Sequence, residues 1–186
     1  MTKLAICIPT FNRSYHLKNC LNSLLNNGKI IKDVEICISD NNSTDDTKDV
    51  INFYKKKINI NYHKNYENIG VAKNILKSVE ISNSEFCWVV GDDDMLLNYS
   101  IKEVLNLINN YTNADYFYIN SFHFNSELLK NYKYPINTED LPKNLKKFSD
   151  FPNNFYGKFI DFINPKISFD FLGGLYLSVF RKYNWD

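Results

Sequence analysis

The sequence predicts an α/β fold in which a mostly parallel β-sheet is flanked by helices and followed by a mixed C-terminal part. Two observations lead to this prediction. Short apolar runs alternate with amphipathic segments of helical spacing over the first 110 residues, and alternating aromatic residues replace that pattern from Tyr116 onward. The chain has 186 residues, of which 44% are hydrophobic, enough to bury the core of one domain. Strands that alternate with helices favour right-handed crossovers.

Four strand–helix pairs are predicted first. Strands are expected at 4–9, 34–39, 58–63 and 86–90, where short apolar runs are bounded by polar or turn residues. Apolar residues spaced three and four apart predict helices over 17–25, from Ser43 through Tyr54, over 72–79 and over 101–108. Ser43 and Asp46 are interpreted as a variant capping box that opens the second of these helices.

The later part of the chain carries weaker patterns. Alternating aromatic residues at 116–124 predict a strand, and the polar stretch 125–152, with three prolines, predicts a long loop. A helix is expected over 155–163 and a late strand over 175–180. Because neither an internal repeat nor a linker divides the sequence, residues 1–186 are interpreted as a single domain.

Composition excludes several classes of protein. The chain carries 22 basic and 21 acidic residues, so its net charge of +1 provides no field for holding nucleic acid. It contains no apolar run long enough to cross a membrane. The four cysteines are scattered without a CxxC pair, which predicts reduced core thiols and a cytoplasmic location. The motifs GxGxxG, GxxxxGK[ST] and GxSxG are absent, which disfavours dinucleotide-binding, P-loop and α/β-hydrolase sites.

Polar clusters follow three of the predicted strands, at residues 9–13, 40–43 and 92–94. The carboxyl ends of parallel strands meet at one edge of a sheet, which is where ligands bind in such folds. Three adjacent aspartates repel one another unless a positive group lies among them. A hard divalent cation fits this requirement, since Mg²⁺ takes one or two carboxylates together with phosphate oxygens. The alternative is a solvated acidic turn that caps the helix at Ser100.

Other residues of these clusters have two interpretations each. The Asp40 carboxylate could accept a ring N–H from uracil, thymine or guanine, but not from cytosine, or it could be a turn residue. Asn12 and Arg13 are either turn residues or nucleotide contacts. Lys73 and Asn74 open a helix after Asn68-Ile69-Gly70, where an amide could orient a sugar hydroxyl or lock the acidic loop.

Taken together, four segments resemble the nucleotide-sugar domain of glycosyltransferase family 2, which has the GT-A fold. They are residues 8–13 (IPTFNR), 38–45 (ISDNNSTD), 68–74 and 88–94 (WVVGDDD), in the order of the family's motifs. These variants are most similar to the abequosyltransferase-type enzymes of bacterial surface polysaccharide synthesis. A late segment, 171–181, resembles the acceptor-side region. The resemblance divides the domain into a donor-binding half, 1–121, and an incomplete acceptor-side part, 122–186.

The resemblance implies a metal-dependent, inverting sugar transferase. The donor would be a nucleotide-diphosphate sugar, with UDP expected first and dTDP or GDP next, and the acceptor a saccharide or a lipid-linked saccharide. Mn²⁺ or Mg²⁺ would contact Asp92 and Asp94. The residues implied in nucleotide-sugar binding are Pro9, Thr10, Phe11, Asn12, Arg13, Asp40, Asn42, Asn68, Gly70, Lys73, Asn74, Asp92 and Asp93.

The catalytic base is the one part that the resemblance does not supply. Family members place it downstream of the acceptor-side strand, so the sequence is expected to be C-terminally truncated, with Asp170 as the candidate base within the late motif. Such a chain would bind nucleotide but transfer the sugar about 10²–10⁴-fold more slowly. A nucleotide-sugar-binding pseudoenzyme or interaction module and a nucleotidyltransferase are the alternatives. A lipid-linked acceptor would bring the protein to the inner face of the membrane through peripheral contact.

Overall fold

The computed structural model describes residues 2–149, 156–158 and 174–184, which contain one six-stranded sheet. The strands are β1 (Leu4–Thr10), β2 (Glu35–Asp40), β3 (Ile60–Lys64), β4 (Phe86–Val89), β5 (Tyr116–Tyr118) and β6 (Ser178–Arg181). Their order in the sheet is β3-β2-β1-β4-β6-β5. The first four strands run parallel, whereas β6 is antiparallel to both of its neighbours. The predicted mostly parallel sheet with a mixed C-terminal part is therefore confirmed.

The described ranges contain four α-helices, which are α1 (Ser14–Leu25), α2 (Thr47–Lys55), α3 (Val71–Glu80) and α4 (Ser100–Asn110). The predicted start of α2 at Ser43 was wrong. The Ser43 hydroxyl accepts the backbone N–H of Asn12 instead of capping a helix, and α2 begins where Asp45 accepts the N–H of Thr47. The polar loop between β2 and α2 therefore lies at the carboxyl ends of the strands, where the other polar clusters lie.

The later part of the chain departs from its predicted boundaries. The strand expected over 116–124 is limited to β5, and the strand expected over 175–180 begins at Ser178 after a short 3₁₀ turn. Residues 125–149 form loops with two 3₁₀ turns, Ser126–Asn131 and Thr138–Asp140, as the prolines and polar composition predicted. The predicted helix over 155–163 lies almost entirely outside the described residues.

Most of the hydrophobic core lies on one face of the sheet. There α1, α2 and α4 pack against alternate residues of the strands, including Leu4, Ile6 and Ile8 of β1. A smaller cluster on the other face contains Ala5, Cys7, Cys37 and Cys87 of the strands together with Val79 of α3. All four cysteines are buried and free, which confirms the predicted core thiols. No helix in the described ranges is long and apolar enough to span a bilayer.

Candidate functional site

The loops that follow β1 and β4 meet at the carboxyl edge of the sheet. The two strands are direct neighbours. Thr10, at the end of β1, and Arg13, in the loop after it, contact the acidic cluster, which consists of Asp92, Asp93 and Asp94. The Thr10 hydroxyl donates to Asp92 Oδ2 at 2.8 Å. The Arg13 guanidinium contacts Asp92 Oδ1 at 3.0 Å and Asp93 Oδ2 at 2.8 Å. The third carboxylate, of Asp94, accepts the backbone N–H of Gly91 at 2.8 Å.

Arg13 is therefore a positively charged group that contacts the aspartates directly. The sequence predicts a metal ion as the positive group among the three aspartates, and in the structure the Arg13 guanidinium provides part of that charge. Burial raises the pKa of Asp92, although the Thr10 hydrogen bond and Arg13 oppose this effect. Burial also raises the pKa of Asp94 to about 6; the Gly91 N–H opposes this shift, and the neighbouring carboxylates add to it.

The acidic cluster can still accommodate a hard cation. Both oxygens of Asp92 already have partners, which leaves Asp93 and Asp94 as possible ligands. Asp93 Oδ1 is the oxygen of Asp93 that Arg13 does not contact, and Asp94 has a second oxygen besides Oδ2, which accepts the Gly91 N–H. Carboxylate oxygens of this kind suit Mg²⁺ or Mn²⁺, which would complete their coordination with phosphate oxygens and water. No group of three or more His, Cys, Asp or Glu side chains in the described ranges is arranged to hold a metal by itself.

The loops after β1 and β2 are joined to each other. The Asn12 backbone N–H donates to Ser43 Oγ at 2.9 Å, and Asn12 Oδ1 accepts the N–H of Thr44 at 2.7 Å. Asn12 and Asn42 have positive φ angles of 51° and 67°, a conformation that asparagine tolerates better than most residues. The paired turns therefore form one preorganised surface beside Arg13.

Asp40 lies beneath this surface and is fully buried. Its Oδ1 accepts the backbone N–H of Ser43 and its Oδ2 accepts the Tyr62 hydroxyl, both at 2.8 Å. These contacts are those of a turn residue. Tyr62, which the sequence analysis did not single out, belongs to the edge strand β3.

Asn74 occupies the centre of a buried polar network. Its Oδ1 accepts the Ser39 hydroxyl at 2.7 Å and the Asn65 amide at 3.0 Å. Its Nδ2 donates to the Ser39 carbonyl at 3.1 Å and the Thr10 carbonyl at 3.3 Å. The amide thereby ties α3 to the ends of β1 and β2, and Asn74 is almost fully buried.

Within the described ranges, the other residues predicted in nucleotide-sugar binding form no hydrogen bond or ion pair with the three aspartates. Asn68 accepts the Asn41 amide and the N–H of Gly70, and Gly70 has a φ of 84° that favours glycine before α3. Phe11 and Lys73 are exposed, and Pro9 is half-buried. Asp170, the candidate base, lies outside the described residues.

A cavity of about 510 Å³ opens beside the acidic cluster. Arg13, Asp93 and Asp94 line one end of it, and the remaining wall is largely apolar and aromatic. Within that wall the rings of Phe148 and Tyr176 are edge to face, with centroids 6.0 Å apart. The Trp88 indole N–H fixes this region by donating to the Tyr176 carbonyl at 2.8 Å. Trp88 belongs to the segment 88–94 that the sequence analysis singled out, but Phe148 and Tyr176 were missed, because they lie far from that segment along the chain.

A family profile and several known proteins match this chain. The profile of the family described as Glycosyl transferase family 2 matches residues 5–183. Abequosyltransferase RfbV of Salmonella typhimurium is 43% identical over 100 residues, which cover 53% of this chain and 30% of the relative. GalNAc(5)-diNAcBac-PP-undecaprenol beta-1,3-glucosyltransferase of Campylobacter jejuni is 36% identical over 112 residues, covering 59% and 35%. The chain thus spans about a third of the length of these curated relatives.

Solved structures show the same fold. TarS residues 1–349 of S. aureus, in complex with UDP-GlcNAc, superpose with a TM-score of 0.63 at 24% identity over 67% of this chain and 36% of that one. The mannosyltransferase PcManGT from Pyrobaculum calidifontis, with GDP-Man and Mn²⁺, gives 0.56 at 13% identity over 63% and 35%. The predicted GT-A-type fold class is confirmed by these likenesses.

Proposed function

The chain belongs to glycosyl transferase family 2, and on that basis we propose that it takes part in metal-dependent transfer of a sugar from a nucleotide-diphosphate donor to a saccharide or lipid-linked acceptor. The observation that carries the proposal is the contact of Arg13 with Asp92 and Asp93. This contact joins the loops after β1 and β4 at a site that has both the positive charge of the guanidinium and free carboxylate oxygens. Surface polysaccharide synthesis is the proposed context, because relatives of this chain include an abequosyltransferase and a GalNAc(5)-diNAcBac-PP-undecaprenol glucosyltransferase.

The diphosphate of the donor would lie between Arg13 and the acidic cluster. A guanidinium has five N–H donors in a planar fork that matches phosphate oxygens, and only two of its nitrogens are used by Asp92 and Asp93. Asp93 and Asp94 would hold Mn²⁺ or Mg²⁺, which neutralises charge on the diphosphate when bound. Arg13 would stabilise the negative charge that develops as the diphosphate leaves.

In the inverting reaction we propose, the bond between the anomeric carbon and the diphosphate oxygen breaks as the acceptor oxygen bonds to that carbon. The diphosphate leaves with the electron pair, and a general base takes the proton of the acceptor hydroxyl. The aromatic wall of the cavity, with Phe148 and Tyr176, would bind the sugar rings that react. Asp170 stays the candidate base.

The nucleotide base is a separate question. Because both oxygens of Asp40 already accept hydrogen bonds, we propose that Asp40 shapes the turn and does not select the base. UDP, dTDP and GDP sugars remain the first candidates, and a cytidine donor is no longer disfavoured by the pairing edge of its ring.

Thermal unfolding with UDP, dTDP, GDP and CDP, each with and without Mn²⁺, tests donor binding. A diphosphate at 100 times its Kd adds about 2.7 kcal/mol, which raises the Tm of a domain of this size by roughly 5–11 °C. We expect a metal-dependent shift with one nucleotide. This shift should be lost in Asp94→Asn and kept in Asp33→Asn. Asp33→Asn is a matched change just before β2, at the amino end of that strand and not at its carboxyl end. No shift with any nucleotide would contradict the proposal.

Sugar transfer needs its own assay. The nucleotide that binds is supplied as its sugar conjugate with oligosaccharide and polyprenyl-linked acceptors, and released diphosphate and elongated acceptor are both quantified. Elongated acceptor supports the transferase. Binding without product at any acceptor would favour a nucleotide-sugar-binding module instead.

A further inference from the structure

The Asp45 carboxylate accepts hydrogen bonds from the beginnings of two helices. Its Oδ2 accepts the backbone N–H of Ser14, the first residue of α1, at 2.9 Å. Its Oδ1 accepts the backbone N–H of Thr47, the first residue of α2, at 3.1 Å and the Thr47 hydroxyl at 2.6 Å. Desolvation raises the pKa of Asp45, but the hydrogen bonds from Thr47 and Ser14 outweigh it, so the pKa lies below its usual value. The ionised carboxylate is therefore the form that joins the helices.

The α1 contact lies one residue away from Arg13. The Arg13 carbonyl accepts the N–H of Leu17 at 2.9 Å, so both polar groups of the peptide that links Arg13 to Ser14 have hydrogen-bond partners. Asn12, on the other side, is held by Ser43 and Thr44 of the same loop that contains Asp45. The loop after β2 thus fixes the position of the Arg13 backbone, from which the guanidinium extends.

We propose that Asp45 is a positioning residue of the donor site. By binding the N-termini of α1 and α2 together, it places Arg13 where the guanidinium reaches both Asp92 and Asp93. The role of the positioned guanidinium toward a diphosphate rests on the proposed function, whereas the coupling of Asp45 to Arg13 does not. An ordinary helix cap would stabilise α1 equally well whether or not Arg13 were present.

The coupling is tested first without ligand. The Tm is measured for the wild type, Asp45→Asn, Arg13→Gln and the double variant. Asparagine keeps the size of the side chain but replaces one acceptor oxygen with a donor. We expect the double variant to lose clearly less Tm than the sum of the two single losses, since the Arg13 contacts are already weakened in Asp45→Asn. If the Tm loss of the double variant equals the sum of the two single losses, Asp45 acts only as a helix cap, and the proposal is overturned.

Asp46→Asn is the matched control. Asp46 is the next residue, is exposed, and makes no side-chain capping hydrogen bond, yet its substitution removes the same charge near the same helix. Its Tm loss should add to that of Arg13→Gln. Coupling of the same size in this control would show a general charge effect and would contradict a specific role of Asp45.

The second measurement is the affinity for the diphosphate and Mn²⁺ pair that the wild type binds among UDP, dTDP, GDP and CDP. Asp45→Asn should weaken it about three- to tenfold, and should weaken it no further in the Arg13→Gln background. A full additional loss in that background would overturn the positioning role. If the wild type binds none of the four, the proposed donor site fails, and the ligand-free comparison alone decides whether Asp45 positions Arg13.

Discussion

Arg13 and Asp92 form an ion pair of 3.0 Å between the loops that follow β1 and β4, and the two partners differ sharply in exposure. The Arg13 side chain is 44% exposed, whereas that of Asp92 is 5% exposed. The pair therefore places a cation at the surface of the site and a carboxylate beneath it. Its stabilising effect comes mainly from the buried partner, which would otherwise be charged with little solvent around it.

Arg13→Gln should destabilise the protein at pH 7. The variant leaves Asp92 with the Thr10 hydroxyl as its remaining hydrogen-bond partner, and we expect a loss of about 0.5–1.5 kcal/mol, discounted for the exposure of Arg13. Urea unfolding measures it, with Lys48→Gln as the charge-matched control on exposed α2 surface. The difference from the wild type should shrink on acidification as Asp92 becomes protonated. An unchanged unfolding midpoint would show that the ion pair contributes nothing.

Asp94→Asn should stabilise the metal-free protein at neutral pH. A folded pKa of about 6, above the ordinary value, means that the folded state favours the protonated carboxyl. The favourable contribution is complete below pH 4 and is lost as the pH rises through 6. Removing the charge should therefore add about 1–3 kcal/mol at pH 7 and almost nothing at pH 4. Unfolding at both pH values checks this expectation.

Asp93→Asn provides the contrast for that experiment. Asp93 is exposed and contacts Arg13, so its neutralisation should give no gain at pH 7. An equal gain in both variants would mean that repulsion within the cluster, and not burial of Asp94, raises the pKa.

Asn74→Ala should destabilise the protein by about 2–4 kcal/mol, because it leaves several buried hydrogen-bonding groups without partners. Lys73→Ala, at the adjacent exposed position, should stay within about 0.5 kcal/mol of the wild type. Urea unfolding separates the two interpretations of Asn74. If Asn74 only bound the sugar, Asn74→Ala would lower the affinity for the donor and leave the unfolding free energy unchanged. That result would contradict the structural role of the buried network.

Tyr62 should make the stability depend on alkaline pH. Burial, together with the hydrogen bond to Asp40, raises the pKa of its phenol, so the folded state favours the neutral form. Its contribution is complete below about pH 10, the ordinary tyrosine value, and is lost as the pH rises further. Tyr62→Phe should be less stable than the wild type at pH 7 and should show a weaker decline above pH 10. Tyr66→Phe, which alters a fully exposed phenol, is the control and should reproduce the wild-type decline.

The sheet could be predicted from sequence because its signals are local. Apolar runs such as Leu4 to Pro9 identify buried strands, and the rule that parallel strands share a carboxyl edge brings Arg13 and Asp92 to the same region. The order of the last two strands was not predictable in this way. It depends on the pairing of Phe117 with Val179, residues with no local signal linking them.

Individual roles at the site were harder to predict, because burial and partner choice depend on tertiary contacts. Asp40 and Asn74 have residue types that suit ligand binding, yet the structure buries both and satisfies them internally. Asp45 gave the weakest signal, since an aspartate next to a threonine in a polar loop is an ordinary helix-capping pattern. Only the fold shows that it contacts α1 as well as α2.

The place of β6 in the sheet has a consequence for how the protein is made. In the described part of the chain, β5 pairs only with β6, and β6 lies between it and β4. On the ribosome, β5 emerges well before its partner strand, whereas β1 to β4, with Thr10, Arg13 and Asp92, have all been synthesised by then. The edge of β4 therefore stays unpaired until β6 has been synthesised. The insertion of β6 then joins β5 to the rest of the sheet. Such long-range closure is slow compared with local folding, and the nascent chain exposes an unpaired strand edge until it happens.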